Sequence, residues 1–245
     1  MRRRTLRAHT LPTSELGDET REAMWRLFER YYADVDRARF LDDLSRKRDV
    51  VLLKDPVDDS VQGFCNLQVY PGVAAGRPYV AVFTGDTVID PAYHGQTKAL
   101  HRAFFNYLVA CKLRQPRTMV FWYLVSKGYK TYLTLTRNVP VHWPRHDLAT
   151  PAFEAAVLDD LGRRFFASAW RPDRGVLCHP DAQGRLKEHV APIGEAELRH
   201  AEIRFFVDRN PGYATGDELC CLGLVDRTLL THFTAKVLRR ALGLT

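Results

Sequence analysis

No apolar run in these 245 residues approaches the roughly 20 needed to cross a bilayer, so no membrane segment is expected. The N-terminus, "MRRRTLRAHTLPTSELG", is basic but has no apolar stretch behind its arginines, which excludes a secretory signal and leaves a cytoplasmic location as the expectation. Cysteine is sparse and odd in number. Cys65, Cys111, Cys178, Cys220 and Cys221 show no CxxC spacing, so neither a disulfide framework nor a zinc site is expected. Internal repeats and low-complexity segments are lacking too. What is present is the composition of an ordinary globular protein, 46% hydrophobic and 27% charged. Lys plus Arg number 36 against 29 Asp plus Glu. That excess favours an anionic partner such as nucleic acid, a phosphorylated cofactor or an acidic carrier protein.

The pattern divides near residue 139. Before it, residues 3–9 read as a strand, and helices are predicted over 19–32, with Asp18 as cap, and over 36–47. "DVVLLKD" and "VQGFCNLQVY" read as an antiparallel hairpin, and "PGVAAGRP" as a loop. "YVAVFTGDTVID" is a long strand stopped by Pro91, which has no N–H to donate to a ladder. A helix begins near Gln96, with Leu100, Ala103, Phe104, Tyr107, Leu108 and Cys111 on one face. "RTMVFWYLVS" reads as a central strand covered on both sides, and "KGYKTYLTLTRNV" as a short helix. The expected fold is therefore α/β with a mixed sheet. Residues 1–139 form its core, and 140–245 form an extension that completes the fold. In the extension, helices are predicted over "AFEAAVLDDLGRRFFASAW" and, capped by Asp226, over "DRTLLTHFTAKVLRRAL".

"VIDPAYHGQTKALHRAFFNYL", residues 88–108, joins a strand to a helix across a short loop. Such loops hold phosphate on the free N–H groups of the helix start, yet this one has a single glycine, Gly95. The strand, Pro91 and "HGQTKA" together resemble the acyl-CoA loop of the GCN5-related N-acetyltransferase (GNAT) superfamily, whose pattern is Arg/Gln-x-x-Gly-x-Gly/Ala. His94 stands at the Arg/Gln position, Gly95 and Gln96 match the positions between, Thr97 replaces a glycine, Lys98 is at a variable position, and Ala99 fits the last. The order of elements over residues 5–139 agrees with the same family.

The resemblance implies a GNAT-like fold with an enlarged C-terminal half, and acyl-CoA, acetyl or longer, as co-substrate without a metal. It implies that His94, Gly95, Gln96, Thr97, Lys98 and Ala99 hold the pyrophosphate. It further implies that backbone groups of Val88 and Ile89 hold the thioester and pantetheine arm. Ser126 stands where the family often has a pantetheine-binding asparagine. Tyr132, preferred over Tyr129, stands near the position of the acid that protonates the departing thiolate. Asp86, the deeper of the two aspartates flanking "TVI", is the candidate base, and burial there would raise its pKa usefully.

The activity so implied is acyl transfer from acyl-CoA, or from acyl carrier protein, to an amine or hydroxyl of a small-molecule acceptor. A non-catalytic module of this fold that binds a phosphorylated ligand or nucleic acid is the alternative, although no nucleic-acid motif is present. "HWPRHD" offers His142, His146 and Asp147, but Pro144 breaks the helix that would align the histidines on a metal. The aromatic residues beyond 140, among them Trp143, Phe165, Phe166 and Phe206, are expected mostly in the core, with some available to line a cavity.

Overall fold

The computed structural model describes residues 5–93, 97–179, 184–187 and 189–241. Strand β1 (Arg7–Pro12) is followed by helices α1 (Asp18–Tyr31) and α2 (Arg37–Ser45). Met24 and Leu27 of α1 and Phe40 and Leu44 of α2 point inward at helical spacing and pack with Phe64 and Val88. Asp36 caps α2 by accepting from the Arg39 amide at 2.8 Å. Asp18 is the first residue of α1 rather than its cap, which is Gly17.

Three antiparallel strands follow: β2 (Asp49–Lys54), β3 (Val61–Ala74) and β4 (Arg77–Ile89). The expected loop "PGVAAGRP" is mostly strand. Only Ala75 and Gly76 turn the chain, with φ of 46° and 72°, as a two-residue hairpin requires. Pro71 is tolerated inside β3 because β2 has already ended there. Its carbonyl points outward to Arg164 at 3.0 Å, so its missing N–H faces the same open side.

Helix α3 (Lys98–Arg114) carries the chain to β5 (Met119–Ser126), which lies parallel to β4. Helix α4 (Tyr129–Asn138) comes next, then β6 (His142–Trp143), α5 (Ala152–Phe166), β7 (Trp170–Arg171) and β8 (Val176–Leu177). The chain ends with α6 (Glu195–Leu198), α7 (Ala201–Arg209), β9 (Glu218–Leu224) and α8 (Arg227–Ala241). The strands form one sheet in the order β1-β2-β3-β4-β5-β9-β8-β7, with β6 also on β9.

The near-continuous apolar run of β5 is explained by cover on both faces. Val120, Trp122 and Leu124 pack beneath α3, α4 and α7, while Phe121 and Tyr123 pack beneath α5. The result is the mixed α/β sheet that the sequence resemblance implied, extended by strands from the second half. Helix α5 lies so close to β7 that Gly162 touches the Trp170 indole: a Cβ there would come within 2.3 Å of Trp170 Cδ2. That indole is held by its Nε1 bond to Asp159 at 2.9 Å and cannot easily yield. Gly162→Ala should therefore cost about 1–3 kcal/mol by overpacking, outweighing the gain of roughly 1 kcal/mol from removing a helix glycine. Urea denaturation followed by circular dichroism measures the sum, and a more stable variant would contradict this packing.

Candidate active site

The sheet parts at one place. β4 and β5 pair from Tyr79 and Met119 up to Thr84 and Leu124. Beyond that, β4 stays with β3 as far as Ile89, and β5 stays with β9 as far as Ser126. A bulge causes the parting. Asp86 and Thr87 of β4 lie opposite the single residue Cys65 of β3, and Asp86 takes a φ of 32°. The extra residue bends the bulged strand and increases its twist, so it leaves its parallel neighbour. Trp122 closes the base of this fork, donating from Nε1 to Thr84 Oγ1 at 2.8 Å. The open ends are carboxyl ends of parallel strands, where ligands of open α/β sheets bind.

On the face covered by α1, α2 and α5, the fork opens into a cleft of about 900 Å³. One wall is Tyr32, Asp43 of α2 and Lys47 just beyond that helix; the other is Phe165 and Phe166 at the end of α5. Phe83 to Thr87 form the floor, and Lys127, His179 and Glu218 stand beside it. Residues 184–187 run along the turn between α1 and α2: the Ala33 amide donates to Arg185 O at 2.9 Å and the Lys187 amide to Tyr31 O at 3.0 Å. Leu186 from this strap lines the same cleft.

Asp86, the expected base, is at the fork. Asn66 Nδ2 donates to its Oδ2 at 3.1 Å. Burial, reinforced by the Asp43 carboxylate, pushes its pKa from 3.8 up to about 6, against the opposing pull of Lys47 and Asn66. Glu218 stands in the contrary state. Burial pushes it upward, but Lys127 at 3.6 Å and His179 Nε2 at 3.0 Å outweigh that and hold it below its ordinary value. Two carboxyls of one cleft are thus driven apart, the usual mark of divided acid–base roles. Tyr32 lines the same space, and burial together with Asp86 and Glu218 keeps its hydroxyl protonated.

Lys127, His179 and Glu218 were not legible in the sequence. Pairing of Leu177 with Glu218 across β8 and β9 brings the acid beside His179. The one available signal was a charged residue opening the apolar run "ELCCLGL".

The remaining expected residues are distributed as follows. Val88 is buried against the α1–α2 cluster, opposite Phe64. The Ile89 carbonyl points away from β3 and accepts from the Tyr31 hydroxyl. His94, Gly95 and Gln96 lie outside the described residues. Thr97 is the N-cap of α3, already helical at φ −71° and ψ −4°, and its hydroxyl makes no capping bond. Lys98 is exposed in a first turn free of acidic residues, and Ala99 packs against the core.

The hydroxyls of Ser126 and Tyr132 are both engaged inside the protein. Ser126 is fully buried and donates from Oγ to Gly128 O at 2.9 Å, so its hydroxyl is used in the turn to α4. Tyr132 is fully buried as well, its hydroxyl engaged with Pro144 O at 3.1 Å and Glu202 Oε2 at 3.0 Å. α4 turns it toward α7 and not into the cleft, because Phe205 and Phe206 of α7 pack against its ring. Tyr129, the other tyrosine considered, is also buried, on the first turn of α4.

The histidines of "HWPRHD" are separated: His142 Nδ1 meets Val139 O at 2.7 Å, and His146 Nδ1 meets Glu202 Oε1 at 3.2 Å. Among the described residues, no group of three or more His, Cys, Asp or Glu is arranged to hold a metal ion, and no helix is long and apolar enough to cross a membrane.

No protein-family model matches this chain, and no curated protein matches it. Solved structures share part of its fold. A probable N-acyltransferase from Enterococcus faecalis V583 aligns with 53% of this chain at 16% identity and a TM-score of 0.40, and this chain spans 31% of its length. An acetyltransferase from Trypanosoma brucei aligns with 60% of this chain and 97% of its own, at 19% identity and a TM-score of 0.36. A GNAT family N-acetyltransferase from Escherichia coli, solved with CoA, aligns with 62% of this chain and 79% of its own, at 19% identity and a TM-score of 0.36. Likeness of this degree carries nothing about activity, so function has to be argued from this chain's own geometry.

The raised pKa of Asp86 has a consequence for stability. Its folded-state value lies above its unfolded one, so the folded protein binds this proton more tightly and loses stability as pH rises from 3.8 to about 6. Asp86→Asn removes that cost. Its melting temperature should exceed that of the parent at pH 8, with the gain shrinking as pH falls through 6 and gone below 3.8. Thermal melts across this range check it, and a lower melting temperature at pH 8 would show that the ionised carboxylate is a net stabiliser.

Proposed function

We propose that this protein is a GNAT-type acyltransferase that moves an acyl group from acyl-CoA to an amine. The observation that carries this reading is the fork between β4 and β5. Both strands run past their last shared pair, each held only by its outer neighbour. Backbone N–H and C=O groups facing the gap need partners, and the Ile89 carbonyl has one of its two acceptor sites taken by the Tyr31 hydroxyl. A ligand carrying amides along an extended arm supplies donors and acceptors in that alternation, as an added strand does. The pantetheine arm of CoA is such a ligand, and an arm lying in the gap would bring its acyl end toward Asp86.

The start of α3 supports the same reading. Its first turn has no acidic side chain and carries Lys98, so helix dipole and ammonium both favour a pyrophosphate there. His94, Gly95 and Gln96 would add the loop's own donors. Thr97, whose hydroxyl is not used in capping, can donate as well. A donor held on acyl carrier protein offers the same arm with fewer phosphates and would use the same fork.

Asp86 accepts the proton that the acceptor nitrogen releases as it bonds to the acyl carbon and the carbon–sulfur bond breaks. With a pKa of about 6, it is ionised at neutral pH yet basic enough for the task. The departing thiolate, with an ordinary pKa of roughly 8.5, can take its proton from solvent, so Tyr132 is not required as the acid. Glu218, held ionised by Lys127 and His179, keeps a fixed negative charge across the cleft from Asp86.

A thiol-release assay over acyl-CoAs of increasing chain length, with primary amines as acceptors, tests the proposal. Asp86→Ala should lower kcat about 100-fold or more while leaving CoA affinity intact. In the parent, kcat/KM should rise with pH through about 6, the direction expected when a carboxyl of raised pKa must be ionised. Lys98→Glu should weaken CoA binding by calorimetry. Absence of transfer from both CoA and carrier-held donors would overturn the reading.

A further inference from the structure

We propose that the acceptor is a monoamine carrying an aromatic or bulky apolar body, its ammonium facing Asp86 and its body lying along Phe83, Tyr70 and Phe165. The chemistry of transfer rests on the acyltransferase reading; the shape and charge of the cleft stand apart from it.

Every other carboxylate lining the cleft is already engaged. Asp34 pairs with Arg185 at 3.1 Å, Asp42 with Arg46 at 2.6 Å, and Asp43 with Lys47 at 2.7 Å. Asp36 caps α2, and Glu218 holds Lys127 and His179. Asp86 has the Asn66 amide but no salt-bridge partner among the described residues. One cationic group is therefore accommodated at the fork. A second would meet the ammonium groups of Lys47 and Lys127 and find no free carboxylate, which disfavours polyamines.

The body of the ligand is read from the rings. Phe165, at the last turn of α5, is left 36% exposed, which is unusual for a phenylalanine with a neighbouring core available. It stacks on Tyr70 of β3 with centroids 3.9 Å apart, and Tyr70 lies 6.1 Å from Phe83 of β4. Phe83 in turn adjoins the bulge that carries Asp86. Three elements thus bring aromatic rings together between the cleft rim and Asp86, with Phe83 largely buried and the Lys47 ammonium 5.8 Å from its ring centroid. A cleft of about 900 Å³ is far larger than a simple alkylamine needs and suits a body of drug-like size. Rings packed there would be bound by area and by offset stacking.

Calorimetry on the full chain, with and without saturating CoA, tests this using phenethylamine, ethylamine, spermidine and 2-phenylethanol. Phenethylamine should bind at least about tenfold tighter than each of the other three, the scale at which an apolar pocket discriminates. Phe165→Ser should remove most of that preference over ethylamine, and Asp86→Asn the preference over 2-phenylethanol. Phe165→Ser should stay folded, its melting temperature falling by only about 2–4 °C through loss of the Tyr70 stack at the rim. Equal or tighter binding of spermidine, binding of none of the amines, or an unchanged preference in Phe165→Ser would overturn the proposal. Because binding is read without turnover, the two readings fail separately. Phenethylamine binding without any acyl transfer sinks the acyltransferase alone, and transfer to ethylamine or spermidine without a phenethylamine preference sinks this inference alone.

Discussion

The extra residue in β4 at Asp86 and Thr87 governs the rest of the site. A parallel pair of strands normally continues its ladder until one strand ends. Here both strands continue and the ladder stops, because β3 holds Ile89 on one side and β9 holds Ser126 on the other. The bulge converts two strand ends into two separated edges. Asp86 is placed at that point by the same irregularity, in a backbone conformation that aspartate tolerates better than most residues. One local departure from regular structure therefore opens the gap and positions its carboxyl.

The surroundings decide what that carboxyl can do. Asp86 lies among groups that desolvate it, near Asp43, with an amide in place of a cation as its partner, so its proton is held into the working range. Glu218 is the more buried of the two, yet Lys127 and His179 reverse the outcome. The difference is one of partners rather than depth. Asp86 comes from β4 and Glu218 from β9, the outer neighbour of β5, so the second half of the chain contributes to the same cleft as the first.

Much of the framework was legible. The apolar texture of "MVFWYLVS", the 3.6-residue spacing in α3 and the break at Pro91 carry local rules that need no long-range information. The upward shift of the Asp86 pKa was legible for a related reason, because its carboxyl is set within an apolar strand. The turn at Ala75–Gly76 was hidden by a proline that an unflanked strand accepts. The orientation of Tyr132 was not legible, because sequence distance from β5 fixes a helix position but not which way that position faces. α7, some seventy positions further on, covers it.

The α/β class, the order of elements in the first half, the break at Pro91 and the likeness to acyl-CoA acyltransferases can be read from the amino-acid sequence. These follow from periodicity, proline and short motifs, all of which act within a few residues. Long-range packing sets the pairing of His179 with Glu218, the internal hydrogen bonds of Ser126 and Tyr132, and the ring contacts that link Phe83, Tyr70 and Phe165. Those depend on which strands become neighbours and on which side of the sheet each helix lies. Such choices are set by burial of the whole core, and no short window of sequence contains them.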